Sequence, residues 1–140
     1  MVKAKEIMNT NVITIAPDEE ACEAVRTMML NNITGLPVLH QDGTLAGIIT
    51  EKDVLTLLYD AQEPPGKVED FMTTEVVCFA PDDGIGDIAE CFRQNYFRRV
   101  PILDEGRLVG IVSRRDILRY IHEFKQEDEV LRDSILEILY

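Results

Sequence analysis

The feature that most limits what this chain can fold into is that it is written twice. Residues 7–21, IMNTNVITIAPDEEA, lie over residues 71–85, FMTTEVVCFAPDDGI. Further on, LPVLHQDGTLAGIITEKDVL (36–55) lies over VPILDEGRLVGIVSRRDIL (100–118), with one residue deleted before Gly106. The matches fall on Pro, Gly and Asp, which fix backbone geometry rather than merely filling a core, so the chain is a duplication. Each copy has roughly 55–60 residues, too few to bury a sufficient core alone, so the two are expected to share one.

Within each copy a β-rich run (Val12–Ile15; Val76–Phe79) leads into Ala-Pro-Asp, which reads as a helix start with Pro and acids in its first turn. The helix then places Ala21, Val25, Met28 and Met29 on one stripe in copy one, and Ile85, Ile88, Ala89 and Phe92 in copy two. Two strands follow, Leu36–Leu39 and Leu45–Ile49, joined through Asp42-Gly43; copy two repeats them as Val100–Leu103 and Leu108–Val112 around Glu105-Gly106. A second helix begins at Thr50 or Ser113. The pattern predicts an α+β fold of two β-α-β-β-α repeats, over 1–62 and 63–123. Between them, DAQEPPG (60–66) cannot continue a helix and reads as a linker. Residues 124–140 carry Val130, Leu131, Ile135, Leu136 and Leu139 near helical spacing, which predicts an amphipathic C-terminal helix.

Charge and motif content narrow the function classes. With 26 Asp+Glu against 14 Lys+Arg and a net charge of −12, nucleic acid and anionic membranes would be repelled. An apolar run of about 18 residues, long enough to span a bilayer, is absent. The start MVKAKEIMNTN has no signal-peptide core, and the three cysteines form no C-x-x-C, so a reduced, cytoplasmic protein is expected. Cys22, Cys78 and Cys91 read as small buried apolar residues, and Met8, Met28, Met29 and Met72 as core or dimer-face filler. His40 and His122 are single, and no nucleophile-and-base set stands out; neither a metal site nor a catalytic residue is expected.

The segment that could carry chemistry is G-h-h-[ST]-x-x-D, where h is apolar. It occurs as Gly47-Ile48-Ile49-Thr50-Glu51-Lys52-Asp53 and as Gly110-Ile111-Val112-Ser113-Arg114-Arg115-Asp116. Thr50 and Ser113 suit helix N-caps, and the acid three positions later completes a capping box. A ligand reading does not compete with the cap. Helix N-termini present free N–H groups to anions, and a carboxylate has two acceptor oxygens that suit the hydroxyls of a ribose. Seven of the chain's 14 cations (Arg93, Arg98, Arg99, Arg107, Arg114, Arg115, Arg119) lie between 93 and 119, among only Asp104, Glu105 and Asp116. That local positive field suits a phosphate.

The repeat, its P-h-h and G-h-h-[ST]-x-x-D segments and the opening I-M-x-T-x-V-x-T-I resemble a tandem pair of cystathionine-β-synthase (CBS) domains over residues 3–122. The resemblance implies pseudo-twofold symmetry and a regulatory, non-enzymatic module. It further implies clefts between the repeats for AMP, ADP, ATP or S-adenosylmethionine, with Mg²⁺ accompanying ATP. It maps the ribose-binding residues onto Thr50, Asp53, Ser113 and Asp116. Cleft A would join Ser113 and Asp116 to Thr10, Val12, Ile13, Ile33 and Thr34. Cleft B would join Thr50 and Asp53 to Thr74, Val76, Val77, Phe97 and Arg98. Arg98 and Arg99 match the family's basic pair before the P-h-h proline, where copy one has Thr34 and Gly35. Phosphate contacts are thus expected from Arg98, Arg99, Arg114, Arg115 and Lys52, more in cleft B than in cleft A. The family also implies a disk-like homodimer acting on a regulated protein partner. The competing reading is an interaction or scaffold homodimer whose clefts are vestigial.

Overall fold

The computed structural model describes residues 1–59 and 66–125. Copy one contains α1 (Ala4–Ile7), α2 (Ala21–Asn31), β1 (Gly35–Leu39), β2 (Leu45–Thr50) and α3 (Glu51–Val54), which runs on as a 3₁₀ turn over Leu55–Tyr59. Copy two repeats them as α4 (Val68–Phe71), α5 (Ile85–Gln94), β3 (Arg99–Asp104), β4 (Arg107–Ser113) and α6 (Arg114–Tyr120), which continues as a π-helical turn over Ile121–Lys125. The linker before Gly66 and residues 126–140 of the expected tail helix lie outside the described residues. No described helix is long and apolar enough to cross a membrane.

Each copy folds its two strands into an antiparallel hairpin, β1 with β2 and β3 with β4. The second hairpin turns on Glu105 and Gly106, both at positive φ (52° and 79°), the backbone twist that two-residue hairpins favour. The first has one residue more, and Asp42 Oδ1 accepts from the N–H and hydroxyl of Thr44 beside Gly43. The two tips pair with each other: Leu45 N–H donates to Gly106 O and Leu108 N–H to Gly43 O. Those are corresponding residues of the two copies, so the bonds straddle the pseudo-twofold axis.

The leading β-rich runs do not become strands. Each is held by one parallel bridge, Ile15 to Val38 and Phe79 to Ile102. Ile15 N–H donates to Pro37 O and Leu39 N–H to Ile15 O; Phe79, Pro101 and Leu103 repeat this. The next rung would need an N–H from Pro37 or Pro101, and proline has none. The Ala-Pro-Asp segments do not open helices either; they form turns, and α2 and α5 begin at Ala21 and Ile85. The carbonyls of these turns serve the other copy. Glu69 N–H donates to Pro17 O and Val68 N–H to Glu19 O, while Lys5 N–H donates to Pro81 O and Ala4 N–H to Asp83 O.

The opening helix of each copy is therefore exchanged. Val68 joins the core of Ile15, Ala24, Met28, Leu36, Val38 and Ile49, and Ala4 joins that of Ile85, Ile88, Phe92, Val100, Ile102, Val112 and Ile117. The interlock completes both small cores and explains how units of this size hold together. On α2, Val25 is half-buried and Met29 exposed, and the buried stripe is Ala21, Ala24 and Met28. The cysteines are not buried as expected: Cys22 is exposed on α2, and Cys78 and Cys91 are only half-buried, with burial pushing the Cys78 thiol up.

Candidate functional site

Strand β4 ends at Ser113, whose extended backbone (φ −105°, ψ 166°) turns the chain into α6. Asp116 N–H donates to Ser113 Oγ (3.2 Å), and Asp116 Oδ2 accepts from the N–H (2.8 Å) and hydroxyl (3.0 Å) of Ser113. Copy one builds the same box at Thr50: Asp53 Oδ2 accepts from its N–H (2.8 Å) and hydroxyl (3.0 Å). The cap thus fills Oδ2 in both copies and leaves Oδ1 outside the box. Asp116 Oδ1 accepts from Arg119 (3.1 Å), and Asp53 Oδ1 from the Thr73 hydroxyl (3.4 Å). A carboxylate oxygen has two lone pairs, so each Oδ1 can still take one ligand hydroxyl.

The exchange of opening segments brings a second wall to each box. Asn9 and Ile111 trade both backbone bonds (2.9 and 3.0 Å), and Ile48 and Thr73 do the same on the other side (2.9 and 2.8 Å). Beside the first pairing lies a cavity of about 550 Å³, within the range of small-molecule sites. Copy one lines it with Asn9, Asn11, Val12, Ile13, Asn32, Ile33, Thr34, Gly35 and Pro37, and copy two with Arg98, Arg99, Ile111, Ser113, Arg114, Arg115 and Asp116. Val12, Ile13, Ile33, Thr34, Ser113 and Asp116 of the expected cleft A meet there; Thr10 is exposed and off the wall.

On the cleft B side, Thr74 and Val77 are exposed, Val76 is half-buried, and Lys52 is exposed beside Thr50 and Asp53. Phe97 packs edge-to-face on Phe92, with ring centroids 6.3 Å apart, against the copy-two core.

The arginines fall differently from the sequence expectation. Arg98 and Arg99, expected beside Thr50, line the Ser113 cavity, and Arg98 also stands 3.8 Å from Glu51. Both belong to the segment that meets Thr34 and Gly35 close to the axis, so one side chain can reach either cleft. Arg114 is not free for phosphate. Its guanidinium donates to Phe97 O (3.1 Å), Phe92 O (3.3 Å) and Asn95 O (2.8 Å), and stands 6.0 Å from the Phe92 ring centroid. It holds the end of α5 to the start of α6.

Asn9, Asn11 and Asn32 are wall residues that sequence reasoning passed over. Asn32 ends α2 at φ 52°, and Asn9 Oδ1 accepts from Asn11 N–H (3.0 Å). Asparagine's readiness for left-handed and Asx-turn geometry was the available signal. Among the described residues, no cluster of His, Cys, Asp and Glu is arranged to hold a metal.

Two interlocked β-hairpin repeats with a cavity between them define a paired-repeat module. Residues 4–60 and 68–123 each match the CBS domain, and the chain belongs to the CBS-domain family. It is 40% identical over 118 residues to an inosine-5'-monophosphate dehydrogenase of Methanocaldococcus jannaschii, covering 84% of this chain and 23% of that protein. It is 35% identical over 119 residues to the CBS domain-containing protein YhcV of Bacillus subtilis, covering 84% of each. The chain thus spans under a quarter of the dehydrogenase, and 42% of another M. jannaschii relative to which it is 34% identical. Among solved structures it superposes on CBSX2 in complex with AMP, a protein of Arabidopsis thaliana, with a TM-score of 0.82 and 26% identity, covering 89% of this chain and 99% of that one. It also superposes on the CBS domain pair of MJ0100 in complex with 5'-methylthioadenosine and S-adenosyl-L-methionine, with a TM-score of 0.76 and 30% identity, covering 87% and 97%.

Proposed function

We propose that this chain is a regulatory module that binds an adenosine ligand between its repeats and catalyses nothing itself. The observation that carries this is the cavity of about 550 Å³ whose walls come from both copies, with the Ser113–Asp116 box on one side and Val12, Ile13 and Ile33 on the other. Support comes from the similar CBS pairs bound to AMP and to S-adenosyl-L-methionine. Adenine needs an apolar slot, which those aliphatic residues supply, and ribose needs acceptors, which Asp116 Oδ1 and Ser113 Oγ supply. A ligand touching both copies stabilises the arrangement that fits it, and only that difference in affinity can be passed to a partner protein. Where the ligand is ATP, Mg²⁺ enters on its phosphates. Calorimetric titration with adenosine, AMP and S-adenosylmethionine is expected to show saturable binding of at least one; binding of none removes the proposal.

The module is expected to work as a homodimer. Met29, Leu30, Leu55, Leu58 and Tyr59 are exposed on the α2–α3 side of copy one, and Leu118, Ile121 and Phe124 along α6 and its continuation. That much helical apolar surface is costly to leave in water, and an identical copy offers the self-complementary cover. Sedimentation is expected to give twice the 15.9 kDa chain mass at micromolar concentration. A 15.9 kDa species persisting there would remove the dimer.

A further inference from the structure

The two copies do not match on their outer helices. On α2 and on the 3₁₀ turn that continues α3, copy one exposes Met29, Leu30, Leu55, Leu58 and Tyr59, each by 62–86%. The corresponding residues of copy two are Arg93, Gln94, Leu118, Ile121 and His122. Three apolar positions of copy one are thus polar in copy two. Glu90 ties that polar set together, accepting from Arg93 on Oε2 (2.7 Å) and from Gln94 on Oε1 (3.1 Å). The residue of copy one that corresponds to Glu90 is Arg26, which stands 3.8 Å from Glu23.

Helices α2 and α3 pack side by side, so the five apolar side chains of copy one stand on adjacent elements. An apolar patch of that extent marks an interaction surface. A standard interface buries about 800 Å² per partner, and five large uncharged side chains suffice for its core. Charge decides what sits there. The chain carries −12, so two copies repel over most of their surface and meet best where fixed charge is least. Copy one against copy one buries the five against themselves, a self-complementary contact that a twofold axis closes. Copy one against copy two would instead press Met29 and Leu30 onto the Glu90–Arg93 pair, whose side chains are largely in water. Withdrawing such a pair from water costs more than its attraction returns.

We infer that a second copy of the chain seats on the α2–α3 face of copy one, like on like across a twofold axis, and that copy two adds little to the hold. This rests on the homodimer reading above and adds which repeat makes the contact and how the two chains face each other. Met29 and Leu55 are then anchors of the contact. Any substitution there counts twice, because the axis repeats it on the other side.

The test is sedimentation equilibrium of the full chain over a concentration series, on wild type, Met29→Arg, Leu55→Asp and Leu118→Asp. Met29→Arg gives copy one the residue type that copy two has at Arg93. Leu55 and Leu118 correspond and are exposed alike, at 62% and 64%, so the same change is made once in each copy. Met29→Arg and Leu55→Asp are expected to raise the dimer dissociation constant about 100-fold or more, and Leu118→Asp to shift it by less than about threefold. All three side chains are exposed, so circular dichroism should stay that of wild type, which separates a lost contact from a lost fold. Equal loosening by Leu55→Asp and Leu118→Asp, or a wild-type dimer that none of the three loosens, would overturn the inference while leaving the homodimer reading intact. A wild-type chain that stays at 15.9 kDa at micromolar concentration removes both.

Discussion

Asp116→Ala is expected to weaken adenosine binding about 10- to 100-fold, the range for losing hydrogen bonds to a charged acceptor. The side chain has two tasks on its two oxygens. Oδ2 closes the capping box of α6 through the N–H and hydroxyl of Ser113, while Oδ1 accepts from Arg119 and keeps a lone pair for a ligand. Losing the cap should cost about 0.5–2 kcal/mol of stability whether or not a ligand exists. Asp53→Ala removes a box of matching bond lengths, 2.8 and 3.0 Å, so it calibrates that cost. The measurements are a thermal melt and an adenosine titration on each variant. A lowered melt with unchanged adenosine affinity in Asp116→Ala would leave Asp116 as a cap and nothing more.

That duality explains how much of the site was legible in the sequence. The spacing Ser113-x-x-Asp116 announces a cap through local backbone chemistry, and the cap is there. A local pattern cannot say which oxygen the cap consumes; that follows from where Arg119 and Thr73 stand. The hairpins were legible because Asp42-Gly43 and Glu105-Gly106 fix turns by their own conformational preferences. The leading runs do not become strands because the β-branched residues of Val12–Ile15 report only a preference for extended backbone, whereas a ladder depends on the donors of its neighbour. The neighbour here carries Pro37.

The exchanged opening helices were beyond reach for a related reason. Ala4 is buried and Lys3 exposed, an ordinary pattern, but the core that buries Ala4 belongs to residues some eighty positions away. Ala-Pro-Asp likewise looks like a helix start until its carbonyls are seen to be taken by the other copy. The arginines show the same limit. Sequence places Arg98 and Arg99 in copy two, and only the geometry at the axis shows which cavity their guanidinia enter.

The glycine that opens each motif gives the sharpest contrast between two positions identical in sequence. Gly47 lies under the leading run of copy two, and a Cβ added there would stand 2.5 Å from Thr73 O. That carbonyl accepts from Ile48 N–H at 2.9 Å, and Thr73 N–H donates back to Ile48 O at 2.8 Å, so it cannot retreat without breaking the pairing. Gly110 faces Met8 instead, with Sδ at 2.5 Å and Cγ at 2.7 Å from such a Cβ. A methionine chain has rotatable bonds with which to move aside. Gly47→Ala is therefore expected to lower stability by about 2–3 kcal/mol, the upper part of the range for overpacking, and Gly110→Ala by about 1 kcal/mol or less. Because Thr73 also donates to Asp53, the Gly47 variant should loosen the Thr50 box as well. Urea unfolding of both variants, compared at unchanged m-value, reads the difference directly. Equal losses would mean that the leading run of copy two gives way as easily as a side chain does, and that the backbone pairing of Ile48 with Thr73 does little to hold the copies together.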